Sequence, residues 1–184
     1  MGKQHQTVRY EADVQKIGDR WPSVIIGAPY DLMETLMTWH ECRSLLLASR
    51  RATPRTAPVR VRRTDCAEAL WSLIENEYGM RTRMLRLFEG RDGQEPHIFT
   101  PRLQRVGGEA PAVLEEPESG LSWTLRSWVE ATALEIAAER ATPENVPVRT
   151  TRADCTAALR RLLIENPDDI QGTMTAIFLG QTQE

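Results

Sequence analysis

Lysine is almost missing from this chain. Lys3 and Lys16 are the only two, so 21 of the 23 basic residues are arginine. Cysteine is scarce as well. Three cysteines make no disulfide framework and point to a reducing, intracellular compartment. Apolar runs are short, and none approaches the roughly 20 residues that a helix needs to cross a bilayer, so no membrane insertion is expected. The N-terminal segment has no apolar stretch of the secretory kind. Met1-Gly2 opens like a myristoylation signal, but Gln6 stands where Ser or Thr is wanted. Phosphate-binding glycine loops, G-x-S-x-G elbows and H-E-x-x-H helices do not occur. His40-Glu41-Cys42 lacks a C-x-x-C partner, which argues against zinc. These absences exclude the common signatures of catalysis, and neither an enzyme nor a small-molecule cofactor is expected.

What the chain does contain is itself, twice. The run from Val59 to Leu70, VRVRRTDCAEAL, recurs from Val148 to Leu159 as VRTTRADCTAAL, 89 residues on. Upstream, Trp39, Glu41, Leu45, Ala48 and Arg51-Ala52-Thr53-Pro54 fall on Trp128, Glu130, Leu134, Ala137 and Arg140-Ala141-Thr142-Pro143. Gln15, Gly18, Pro22 and Val24 fall on Gln104, Gly107, Pro111 and Val113. Downstream the spacing becomes 90, matching Ile74, Met84, Phe88 and Gly90 with Ile164, Met174, Phe178 and Gly180. The expected fold is mainly α: a tandem duplication of a unit of about 89 residues, with units 1–90 and 91–184. Two copies are too few for a solenoid, so two similar helical lobes with short extended segments are expected about a pseudo-two-fold axis. Units of this size bury a modest core, which makes packing between them important.

Within each unit, Val8, Tyr10 and Val14 alternate as a half-buried strand would, echoed by Ile98, Phe99 and Leu103. A turn at Gly18, or at Gly107-Gly108, leads to short apolar stretches at 24–26 and 113–114. Asp31 and Glu34 have capping-box spacing ahead of Leu32, Leu36, Trp39, Leu46 and Leu47, which recur at helical intervals. The matching helix carries Leu121, Leu125, Trp128 and Ile136, and both should end before Ala-Thr-Pro, since proline cannot continue a helix. The kept tryptophans read as core or interface residues. An extended loop then leads to a second helix, capped by Thr151 with Asp154 in one copy and by Thr64 or Asp65 in the other. Cys66 and Cys155 begin its apolar stripe, so they read as buried small residues rather than reactive thiols. A third helix bearing Met84 and Phe88, or Met174 and Phe178, stops at Gly90 or Gly180.

The best candidate for function is the loop 50–63. It holds Arg50, Arg51, Arg55, Arg60, Arg62 and Arg63 and no acid, whereas the matching stretch sets Arg140, Arg149 and Arg152 against Glu139 and Glu144. Guanidinium groups on an extended loop suit successive phosphates. No aromatic residue interleaves with them, so base stacking by the loop is not expected. Arg149 and Arg152, matched to Arg60 and Arg63, form a secondary candidate set. A plainer role for these four is an Arg–Asp brace to Asp65 and Asp154 that ties each loop to its second helix.

Val148, Thr151, Arg152, Ala153, Asp154 and Leu159 follow the pattern V-x-x-T-[KR]-A-[DE] at the end of a helix–extended-loop–helix, and Val59, Arg63, Asp65 and Leu70 follow it in part. This resembles the SAP motif over Leu36 to Asn76 and Leu125 to Asn166. The loops are longer than that family's, Thr150 and Arg62 replace its usual glycine, and cysteine stands where it has leucine. The resemblance implies binding to DNA or RNA backbone. The expected function is therefore a non-catalytic module that engages nucleic-acid backbone through the loop 50–63. The competing expectation is a structural or adaptor subunit that uses the same surfaces for protein partners in a larger assembly.

Overall fold

The computed structural model describes residues 8–12, 16–17, 21–22, 24–25, 30–56, 58–91, 96–100, 105–106, 110–111, 113–114 and 119–181. The fold is mainly helical. Among the described residues six α-helices carry it: α1 (Tyr30–Ser49), α2 (Arg63–Ile74), α3 (Met80–Glu89), α4 (Ser119–Ala138), α5 (Arg152–Arg160) and α6 (Ile170–Leu179). Eight two-residue strands accompany them among the described residues. These are β1 (Lys16–Ile17), β2 (Trp21–Pro22), β3 (Val24–Ile25), β4 (Val59–Arg60), β5 (Arg105–Val106), β6 (Ala110–Pro111), β7 (Val113–Leu114) and β8 (Val148–Arg149). Among the described residues no helix is long and apolar enough to cross a membrane.

The local chemistry explains the helix ends. At α5, Thr151 Oγ1 accepts from the Asp154 N–H, and the Asp154 carboxylate accepts from the Thr151 N–H at 2.7 Å. At α2 the cap is Arg62, not Thr64 or Asp65. The carboxylate still does its part from the third helical position, taking the Arg62 N–H at 2.8 Å, and Arg62 supplies the extended backbone that a cap needs. Asp31 falls in the first turn of α1 rather than before it. Helices α3 and α6 end at Gly90 and Gly180, both left-handed, with φ 68° and 71°.

After Arg160, α5 passes into a π-turn over Arg161–Glu165, closed by the Asn166 N–H on the Arg161 carbonyl. A π-turn holds one residue more than an α-turn. It falls where the spacing between matched residues rises from 89 to 90.

The two halves of the chain are interlocked. Strand β3 pairs in parallel with β8, and β4 pairs in parallel with β7. Helix α1 lies against α4, α3 packs on α5, and α6 packs on α2. The main core draws Leu36 and Trp39 (α1), Leu70 and Leu73 (α2), and Phe88 (α3) together with Leu125 (α4), Leu159 (α5) and Phe178 (α6). Each half also pins the other through arginine. Arg63 Nη1 donates to the carbonyls of Ile177 (2.9 Å) and Phe178 (3.4 Å), at the end of α6. Arg152 donates to the carbonyls of Phe88 (2.7 Å) and Leu87 (2.9 Å), at the end of α3. The Leu87 and Ile177 carbonyls also accept from the capping Gly90 and Gly180 N–H groups, at 3.3 and 3.1 Å, and a cation at a helix C-terminus complements the helix dipole.

Of the segments expected as strands, Val8 and Tyr10 and also Ile98 and Phe99 are not in strands; Val14 and Leu103, like Gly18 and Gly107-Gly108, lie outside the described residues. Their backbone bonds go to helix side chains instead. The Tyr10 N–H donates to Ser127 Oγ on α4, and the His97 and Phe99 N–H groups donate to Thr35 and Thr38 on α1.

Gly90 gives a direct test of the pinning. An added Cβ would lie 2.9 Å from Arg152 Cζ, and φ is positive there. Gly90→Ala should cost about 1–2 kcal/mol, since left-handed strain is joined by displacement of the Arg152 head. Gly180→Ala, whose Cβ meets Arg63 at a relaxed 3.4 Å, should cost less. Urea unfolding of the two variants measures the difference.

Candidate nucleic-acid interface

The loop after α1 is held in shape. Arg51 places both guanidinium nitrogens on the buried Asp65 carboxylate at 2.9–3.0 Å and donates to the Arg60 carbonyl at 2.9 Å. The Thr53 and Thr56 side chains close a turn, each accepting the other's backbone N–H. That turn carries Arg55 on its exposed surface.

The six arginines of the loop therefore divide by role. Arg50, Arg55, Arg60 and Arg62 are exposed, and no carboxylate among the described residues pairs with them. Arg51 is the loop's anchor, and Arg63 holds the end of α6. The expected Arg–Asp brace exists, but Arg51 makes it rather than Arg60 or Arg63. The second half repeats the arrangement: Arg140 bridges Asp154 and donates to the Arg149 carbonyl, leaving the Arg149 side chain exposed. Arg152 is committed to α3. Burial alone would raise the Asp154 carboxyl, but hydrogen bonds from Arg140 and Thr151 hold it below the usual range. In this second loop the turn is closed by the Asn145 side chain on the Thr142 N–H, and it presents Glu144 where the first presents Arg55.

A second arginine group was not legible in the sequence. On α3, Glu89 pairs with Arg91 Nε at 2.8 Å and with Arg160 of α5. Arg86 is close enough to join these two in holding the Glu89 carboxyl below its usual range, chiefly through the Arg160 hydrogen bond. Arg86, Arg91 and Arg160 are all exposed. The group forms only when α3 docks on α5, which brings together residues 71 apart.

The other polar candidates are absorbed by the core. His40 is fully buried; its Nε2–H donates to the Cys66 carbonyl (2.8 Å), so Nδ1 accepts from the Ser122 hydroxyl (2.7 Å). Burial lowers its pKa to about 4 against the help of the Cys66 carbonyl. Cys66 and Cys155 are buried, and burial pushes the Cys155 thiol up to about 12, which suppresses the thiolate. Arg126, also buried, bridges Glu34 and Glu130 and lies 4.7 Å over the Trp123 ring. Trp39 and Trp128 are core residues. No group of three metal-ligating side chains converges among the described residues.

No protein-family model matches this chain, and no curated protein or solved structure matches it either.

Proposed function

We propose that this protein is a non-catalytic module that binds nucleic-acid backbone through Arg50, Arg55, Arg60 and Arg62. One observation carries the reading: four guanidinium groups stand exposed, without carboxylate partners among the described residues, on a loop that a fifth, Arg51, holds in place. Anchoring lowers the entropy lost when a polyanion orders the loop. Exposed arginines on extended backbone reach phosphates without reading bases, so affinity should vary little with sequence.

We also read the chain as a tandem duplication of units 1–90 and 91–184 about a pseudo-two-fold axis. The elements recur in the same order at spacings of 89 and then 90, and the cross-half contacts come in matched pairs. Strands β3 with β8 and β7 with β4 form one such pair. Arg63 on α6 and Arg152 on α3 form another. On this reading the first unit carries the binding surface, and the second keeps the same brace while presenting Glu139 and Glu144.

The test is binding of the full chain to short single- and double-stranded DNA and RNA at low salt, beside an Arg50→Ala/Arg55→Ala/Arg60→Ala/Arg62→Ala variant. The expected result is binding that falls by 100-fold or more in the variant with the fold unchanged. Absence of binding at low salt would overturn the proposal. The second reading, an adaptor or structural subunit of a protein assembly, then takes its place. Exposed Trp71, Tyr78, Ile98 and Ile164 favour it, and Tyr78 is 87% exposed at a left-handed φ of 54°.

A further inference from the structure

We infer that the arginine group of α3 and α5 is a second, separate phosphate-binding surface, so that the protein engages two polyanion segments at once. The inference rests on the reading of the chain as a nucleic-acid binder, and it adds the class of interaction: bridging rather than single-site binding.

Charge is the first argument. Arg86, Arg91 and Arg160 surround one carboxylate, Glu89, and the Arg152 guanidinium lies beside Gly90 at the same helix end. Among the described residues, four cations therefore meet one anion. Glu89 keeps the arginines together without neutralising them, and two of the three it gathers have side chains exposed by 71% (Arg91) and 44% (Arg160). Arg83, one turn before Arg86 on α3, is exposed too. Guanidinium groups gathered in this way can grip phosphate oxygens two at a time.

Position is the second argument. Helices α1 and α4 run antiparallel where they meet: Glu34 contacts Arg126, and six residues further along α1, His40 contacts Ser122, four residues back along α4. Their C-terminal ends therefore point in opposite directions. The loop 50–62 follows the end of α1. The second group belongs to the end of α4, because Arg140, just past that end, holds Asp154 at the start of α5, and Arg152 beside it holds the end of α3. The ends of α1 and α4 lie about 12 and 14 residues beyond the crossing, on the order of 30–40 Å apart at 1.5 Å per residue. The loop starts at one end, and the second group is tied to the other through Arg140, Asp154 and Arg152. A six-base-pair hairpin, roughly 20 Å long, is too short to span both.

The experiment therefore uses such hairpins, one set labelled with a donor fluorophore and one with an acceptor, and the full chain at low salt. Two hairpins per chain and energy transfer between them are expected. An Arg86→Ala/Arg91→Ala variant should bind one hairpin and lose the transfer, and an Arg50→Ala/Arg55→Ala/Arg62→Ala variant should do the same. If the wild-type chain binds one hairpin and Arg86→Ala/Arg91→Ala changes nothing, the second surface is overturned and the loop reading stands. If the loop variant binds as the wild type does, while Arg86→Ala/Arg91→Ala abolishes binding, the loop reading falls and bridging falls with it.

Discussion

Replacing Asp65 with alanine should remove about 3 kcal/mol of stability, measured by urea unfolding at neutral pH. The side chain is buried and takes the Arg62 N–H together with both ends of the Arg51 fork. Removing one partner of a buried pair costs about 3–5 kcal/mol, because the other charge is left without compensation. Here the Arg51 side chain is 31% exposed and can rehydrate, which places the cost at the lower end. Asp154→Ala should behave alike, since Arg140 is more exposed but Thr151 also loses its capping partner. The Asp65 variant separates charge from anchoring. It makes the region more positive, so a purely electrostatic loop would bind a polyanion more tightly. An anchored loop predicts weaker binding in spite of the added charge.

The second large effect is a loss of about 3 kcal/mol between pH 6.5 and pH 4, centred on His40. Its pKa is about 4 in the folded protein against an ordinary value of 6.5. The unfolded chain therefore takes up the proton first as pH falls. The stability due to a neutral buried His40 is complete above pH 6.5 and drains away as pH approaches 4. Each pKa unit corresponds to about 1.4 kcal/mol. Glu41 acts in the opposite sense, because burial and the neighbouring Glu34 raise its pKa, so its protonation offsets part of the loss. Valine occupies the matching position, Val129, in the other half. His40→Val should flatten the pH profile while lowering stability at pH 7 by about 1–3 kcal/mol, since the Ser122 hydroxyl and the Cys66 carbonyl lose their partner. An unchanged slope in this variant would show that His40 is not the titrating group.

The helices were legible because their causes are local. Leu32, Leu36 and Trp39 fall at helical spacing, Pro54 and Pro143 bar continuation, and Gly90 and Gly180 supply left-handed ends. The packing of each half on the other was not legible, and the similarity of their residues is the reason. Helices α3 and α6 offer the same core residues, Met84 and Phe88 against Met174 and Phe178, so either pattern fits α2 or α5 equally well. The Arg63 and Arg152 pins are matched as well, so the connections and the Glu89–Arg160 pair, whose matched positions are Leu179 and Trp71, select the crossed pairing.

The candidate site shows the same limit. The sequence drew attention to the arginine-rich loop, but composition does not distinguish an anchor from a free cation. Arg51 lies 14 residues from Asp65, farther along the chain than Arg60 or Arg63, yet the end of α1 aims its fork at the carboxylate. The group around Glu89 was not legible as a whole, because Arg86 of α3 and Arg91 just past its end are joined by Arg160 of α5, from the other half of the chain.

The most direct test of the central claim is the salt dependence of binding to a short duplex, measured with Arg86→Ala/Arg91→Ala in place so that the loop alone is read. Four phosphate contacts predict a slope of log K against log salt of about −3 to −4, which is roughly a 100-fold loss between 50 and 200 mM salt. A slope near zero, or one unchanged when Arg50, Arg55, Arg60 and Arg62 are replaced, would contradict backbone binding by this loop.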